Sequence, residues 1–210
     1  MTDEAPVESA SVDVVPEETP KTSERKRRPR RGTRRWIFEW AAIIVVAVLV
    51  AFLVRTFIVQ TFYIPSGSME PTLQVGDRIL VSKLSTEFGS VHIGDILVFR
   101  TPPREVSAGC EGPPVPFLVK RVIGLPGDHL VSKGDTIYVN GKVLNQTWSH
   151  VASLGGKPVP NTIVPKNTYY MMGDNHPQSC DSRYWGPLAA NLVVGKAVMR
   201  IWPLSRIGSL

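Results

Sequence analysis

The chain has 210 residues, 43% of them hydrophobic and 20% charged, with 2 Cys, a composition that excludes both a disulfide-dense mini-protein and a wholly disordered chain. Its 18 Pro and 17 Gly exceed the usual combined share of roughly 12%, which disfavours a mostly helical body and points to a turn-rich β structure. The net charge of +6 is concentrated: residues 21–35 carry 9 basic side chains and 1 acidic one, while residues 1–20 carry 6 acidic and no basic ones.

Residues 1–35 lack a hydrophobic period and hold repeated Pro, so they cannot offset the entropy of ordering and read as a disordered tail. From Trp36 to Val54 the run WIFEWAAIIVVAVLVAFLV contains a single charge, Glu39. At about 1.5 Å rise per residue it approaches the ~30 Å hydrocarbon thickness of a bilayer. With Trp36 and Trp40 suited to one interface and Arg55 able to snorkel to the other, it reads as a transmembrane helix over residues 36–59. No polar stripe of helical period marks it as a buried core helix, and no small-x-small site follows it, so an uncleaved signal-anchor fits better than a removed leader. The basic cluster ahead of it predicts a cytoplasmic tail and an outward-facing body over residues 60–210. Beside a span, attraction to anionic lipid headgroups accounts for that cluster without nucleic acid.

Beyond the span, DRILVSKL, GDILVFR, FLVKRVIGL, TIYVNGKVL and VVGKAVMRIW alternate with turn signals and read as strands, with Asn140-Gly141 a type I′ hairpin signal. No long amphipathic helix intervenes. The fold class is therefore mainly β: an antiparallel sheet domain tethered by one N-terminal transmembrane helix. Thr101 to Pro116 reads as a long irregular loop.

Metal chemistry finds no foothold, since the 4 His show no metal-pair spacing and the Cys have no ligating neighbours. There is also no G-x-S-x-G elbow, phosphate-cradling loop or S-x-x-K. What remains is IPSGSMEPTL, residues 64–73, where Pro stiffens both flanks of a Ser-bearing turn. Such a turn exposes a hydroxyl to act as nucleophile, or is simply turn chemistry. Lys120, in FLVKRVIGLPGD, shares a strand face with Leu118 and Val122, while Arg121 shares the other with Val119 and Ile123. One of the two cations faces the more buried side. A lysine there can shed its charge and become a general base, or it can snorkel outward. In MMGDNHPQSCDSRYWG, Asp181 and Arg183 lie on one face of an extended segment and can brace a loop, and Ser179 can hydrogen-bond near a lysine.

These segments, PSGSMEPTL with GDRILV behind it, VKRVIGLPGD, and MMGDN followed by DSRYWG, stand in the order found in the bacterial type I signal peptidase (leader peptidase) family, which the chain resembles over most of residues 60–203. The resemblance implies a membrane-bound endopeptidase that removes signal peptides from exported preproteins by a Ser-Lys dyad, needing no cofactor. Carried over by position, Ser68 is the nucleophile and Lys120 the general base. Ser66 supplies an oxyanion hydroxyl beside the Ser68 backbone N–H. Ser179 orients the lysine, and Asp181 with Arg183 braces the loop. Ile64, Pro65, Met69, Leu73, Leu118 and Val119 align with parts of the substrate cleft, which takes small residues, typically Ala, at the first and third positions before the cut. The setting implied is the bacterial cytoplasmic membrane, crossed once. Where the commoner family form has Arg-Asp-Asn-Ser, this chain has His176-Pro177-Gln178-Ser179. Cys110 and Cys180 both face outward in this topology, where they either pair or stay free. A self-cleaving repressor-type peptidase would instead be soluble with a DNA-binding helix-turn-helix. An anchored β domain that only binds exported proteins would leave Ser68 and Lys120 as turn and strand residues.

Overall fold

A computed structural model describes residues 33–53, 59–87, 89–104, 110, 115–149 and 153–210. The expected tail up to residue 32 and most of the loop from Thr101 to Pro116 lie outside the described residues. Helix α1 spans Thr33–Leu53 and is uninterrupted by Gly or Pro. Its apolar side chains, among them Trp36, Ile43, Val46, Leu49 and Phe52, are exposed. Among the described residues no helix is long and apolar enough to cross a membrane; residues 54–58, which the expected span takes in, are not among them. The expected end at Val59 needs correction, because Val59 opens strand β1 (Val59–Tyr63), which pairs residue for residue with β2 (Arg78–Ser82). The reason is local: VQTFY is β-branched and aromatic with alternating burial, so it satisfies its backbone in a ladder.

The β body follows the alternation of its sequence. After β2 come β3 (Ile96–Arg100), β4 (Phe117–Gly124), β5 (His129–Lys133), β6 (Thr136–Val139), β7 (Lys142–Val143), β8 (Thr162–Ile163), β9 (Thr168–Met172), β10 (Leu188–Ala189), β11 (Val193–Trp202) and β12 (Gly208–Ser209). An eight-stranded sheet runs β1-β2-β11-β3-β4-β9-β10, with β12 on β11, and a four-stranded sheet runs β7-β6-β5-β8. The ladders pair antiparallel, as expected. Asn140 and Gly141 join β6 to β7 with φ of 52° and 78°, the doubly positive backbone of a type I′ turn.

Three apolar clusters hold these sheets together. Ile123, Leu130, Ile137, Tyr170 and Met172 fill one, under the smaller sheet. Ile64, Met69, Leu73, Ile79, Val81 and Val98 fill another. Leu97, Phe99, Val122, Met171, Trp185 and Leu188 fill the third, against which Cys110 and Cys180 pack. β4 contributes to more than one of them, so both of its faces are covered. Cys110 and Cys180 are joined as a disulfide with Cα atoms 5.8 Å apart.

That bond closes a separation of 70 residues, and by loop-closure entropy it stabilises the fold by about 4 kcal/mol. Urea unfolding with and without a thiol reductant should therefore differ by about that amount; identical midpoints would show that the bond leaves the unfolded chain unconstrained.

Candidate functional site

The Ser-bearing turn is set by its apolar members. Ile64, Met69 and Leu73 are almost wholly buried and insert into one core cluster. Ile64 N donates to Asp77 O and Leu73 N to Met69 O, each at 2.9 Å. The chain between, a short helical turn over Gly67–Met69, cannot rotate without withdrawing those side chains. Ser68 is thereby fixed with its hydroxyl turned toward β4.

On β4, Lys120 pairs across the ladder with Leu97 and is only 3% exposed. Its Nζ lies 2.6 Å from Ser68 Oγ, joining residues that are 52 apart in sequence. Ser66 Oγ is 3.5 Å from Ser68 Oγ. Of the two adjacent cations Lys120 is the more buried, but Arg121 is buried as well. It forms a two-pronged ion pair with Asp174, Nε to Oδ1 at 2.8 Å and Nη2 to Oδ2 at 2.7 Å. A guanidinium keeps its charge and demands such a partner, whereas an amine can shed its proton.

Asp174 also accepts from Thr72 Oγ1 at 2.5 Å, and Arg121 donates to Gly94 O at 2.6 Å and stacks 4.8 Å from the Trp148 ring centre. One buried ion pair thus ties the Ser68 turn, the lysine strand and the loop after β9. That loop presses on the turn directly: Asn175 N donates to Ser68 O at 3.1 Å and Asn175 Nδ2 to Gly67 O at 3.2 Å. Gly173 permits the approach, since a Cβ there would collide with Ser68 O and Ser179 Oγ. Neither contact is visible in spacing alone; the only signal is the demand of Arg121 for a carboxylate.

Ser179 is buried, and its Oγ accepts from Gly173 N at 3.2 Å. Asp181 and Arg183 form a fully buried ion pair, Nε to Oδ1 at 2.8 Å, and Arg183 further donates to Leu154 O, His176 O and Ser179 O. His176 is buried. Its Nδ1 donates to Gly173 O and its Nε2 meets the Gln146 side-chain amide, both at 2.8 Å. Burial first, and the Arg183 charge second, lower its proton affinity below the usual imidazole range, so the ring is held neutral. The Pro and Gln that follow complete a short helical turn over His176–Gln178.

A cleft of about 250 Å³ opens over Ser66, Ser68 and Lys120. Ile64, Pro65, Met69, Leu118 and Val119, all expected there, line it, as do Cys110 and Cys180. Phe62 and Phe117 stack edge to face at 5.3 Å on its rim. Leu73 is corrected: it is fully buried in the core and does not line the cleft, because the turn that bonds its N–H to Met69 O carries its side chain inward. Among the described residues no group of His, Cys, Asp and Glu side chains forms a metal cluster.

Comparison with known proteins gives concordant matches. The family model described as "Signal peptidase, peptidase S26" matches residues 37–202. "Probable signal peptidase I-2" of Synechocystis sp. is 37% identical over 190 residues, covering 90% of this chain and 83% of that protein. "Signal peptidase I" of Leptolyngbya laminosa is 36% identical over 174 residues, covering 83% and 84% respectively. "Signal peptidase IB" of Staphylococcus aureus is 35% identical over 185 residues, covering 80% and 91%.

Two outcomes follow from the buried charges. Asp174→Ala leaves Arg121 charged and uncompensated, so chemical unfolding should show a loss of about 3–5 kcal/mol; a loss below 1 kcal/mol would mean that water relieves the guanidinium. For His176, the unfolded chain takes up a proton near pH 6.5 that the folded chain resists, so stability is full above that pH and falls as the pH drops through it. Unfolding free energies measured between pH 8 and pH 5 should contain this component, and His176→Gln should remove it.

Proposed function

The chain belongs to the signal peptidase family, peptidase S26, and from that premise we propose that it cuts signal peptides from exported preproteins with Ser68 as nucleophile and Lys120 as general base. The family consists of peptidases, so a purely binding β domain and a repressor-type self-cleaving protein are set aside. The observation that carries the dyad reading is the buried 2.6 Å contact between Lys120 Nζ and Ser68 Oγ at the floor of an open cleft.

The chemistry follows from the physics of that contact. An ordinary lysine, with a pKa of about 10.4, is neutral in roughly one molecule in 10³ at pH 7. Withdrawal from water penalises the ammonium and favours the amine. The neutral amine takes the Ser68 proton as Oγ attacks the scissile carbonyl. The Ser68 N–H and the Ser66 hydroxyl stabilise the oxyanion. The resulting ammonium returns its proton to the leaving amine, which departs as the new N-terminus of the mature protein. Water then enters and attacks the acyl carbon while Lys120 takes its proton; the bond to Ser68 Oγ breaks, the signal peptide leaves as a carboxylate-terminated product, and Lys120 passes that proton to Ser68 Oγ, restoring the amine and the hydroxyl. Ser179 orients Lys120, and Asp181 with Arg183 braces the loop that presses on the Ser68 turn.

Substrate binds extended, pairing with a strand edge so that alternate side chains enter the cleft between Ile64, Pro65, Met69, Leu118 and Val119. Small residues at the first and third positions before the cut suit its modest volume. The family is membrane-associated in bacteria. On this reading residues 1–35 are a cytoplasmic tail, a span beginning near Trp36 and ending before Val59 contacts lipid, and the β body lies outside the cytoplasm. The exposed apolar side chains of α1 support that arrangement.

The test is cleavage of a purified preprotein by the full chain in detergent. Ser68→Ala and Lys120→Ala should abolish cleavage, while Ser66→Ala should lose a factor of about 10²–10³ in turnover, the typical cost of one oxyanion donor. Full turnover by either of the first two variants would contradict the dyad.

A further inference from the structure

We propose that the Cys110–Cys180 disulfide is a specificity-determining wall of the substrate cleft, and that reducing it broadens the side chains accepted beside Ser68. This inference rests on the cleavage reading of the same site.

Both cysteines line the cleft that holds Ser68 and Lys120, so the sulfur bridge faces any extended chain seated there. The cleft is about 250 Å³, below the ~300–1,000 Å³ of ordinary ligand pockets. In so small a space each wall excludes side chains, and the loss of one is felt directly.

The two ends of the bridge are held very differently. Cys180 stands between Ser179, whose carbonyl accepts from Arg183 and whose hydroxyl accepts from Gly173, and Asp181, locked in its buried ion pair. The hydrogen bonds of Arg183 to Leu154, His176 and Asp181 anchor that stretch without help from the disulfide. Cutting the bridge therefore leaves Cys180 and the loop against Ser68 in place. The freedom gained falls on Cys110, whose side chain is otherwise kept at the cleft by packing against the apolar cluster around Trp185 and Leu188. The bond thus shapes the pocket far more than it shapes the dyad.

Opening it is a balanced two-electron exchange. A thiolate of an external dithiol attacks one sulfur and forms a mixed disulfide, and its second thiolate then displaces the protein sulfur. The protein keeps two thiols, having gained two electrons and two protons, and the dithiol leaves as its cyclic disulfide.

The experiment uses the full chain in detergent in three forms: oxidised, reduced with dithiothreitol, and Cys110→Ser/Cys180→Ser. Circular dichroism checks the fold of each, so that either folded disulfide-free form decides. The substrates are signal-sequence peptides carrying Ala, Val or Leu at each of the three positions before the cut. The ratio of kcat/KM for Leu against Ala should rise at least tenfold at one position in the disulfide-free forms. Ratios within threefold of the oxidised enzyme at every position, with the all-Ala peptide still cleaved, would overturn the inference. A Ser68→Ala control separates the two layers: if it is inactive and the ratios are unchanged, only the wall is refuted, whereas if it is active, the cleavage reading falls and the inference with it.

Discussion

The rest of the structure answers to one contact, an amine and a hydroxyl 2.6 Å apart in a place where the amine is 3% exposed. Water at that pair would screen it and favour the charged form of an amine; the fold keeps water from β4 while leaving the adjoining cleft open. It does so by covering both faces of β4. Leu97 and Val122 close one side, Ile123 and Met172 the other, and the Ser68 turn is drawn down by Ile64, Met69 and Leu73.

Charge is managed by assigning permanent cations to permanent anions. Arg121 and Arg183 cannot discharge, and each lies against a buried carboxylate, Asp174 and Asp181. Burying a charged pair seldom adds net stability over an apolar substitute, because desolvation offsets the attraction. What the pairs supply is position. The first joins the Ser68 turn, through Thr72, to the strand bearing Lys120. The second holds the loop whose Asn175 grips the carbonyls of Gly67 and Ser68.

The strands were legible wherever apolar alternation met turn chemistry, as in DRILVSKL and at Asn140-Gly141. β1 was harder to see, because VQTFY continues the apolar run of the helix before it and nothing but its β-branched character marks the change. The site was half legible. Ser68 and Lys120 each carry an ordinary reading as turn and strand residues, and no local rule brings together positions 52 apart; only the order of three motifs linked them. Alternation puts Lys120 and Arg121 on opposite faces and, for a strand with one solvated face, makes one of them the more buried. A strand covered on both sides breaks that assumption. By its place in the motif Leu73 belongs to the cleft, but a hydrogen bond to Met69 turns it inward, a detail of backbone rather than of composition.

The claim at the centre is that Lys120 is an uncharged amine near neutrality, and its own titration tests this most directly. With side-chain ¹⁵N-labelled lysine in the folded chain, the Lys120 resonance can be assigned by its loss in Lys120→Met and followed across pH. It should titrate well below the ordinary lysine value of about 10.4. Titration at that ordinary value in a folded, cleavage-competent enzyme would contradict the account.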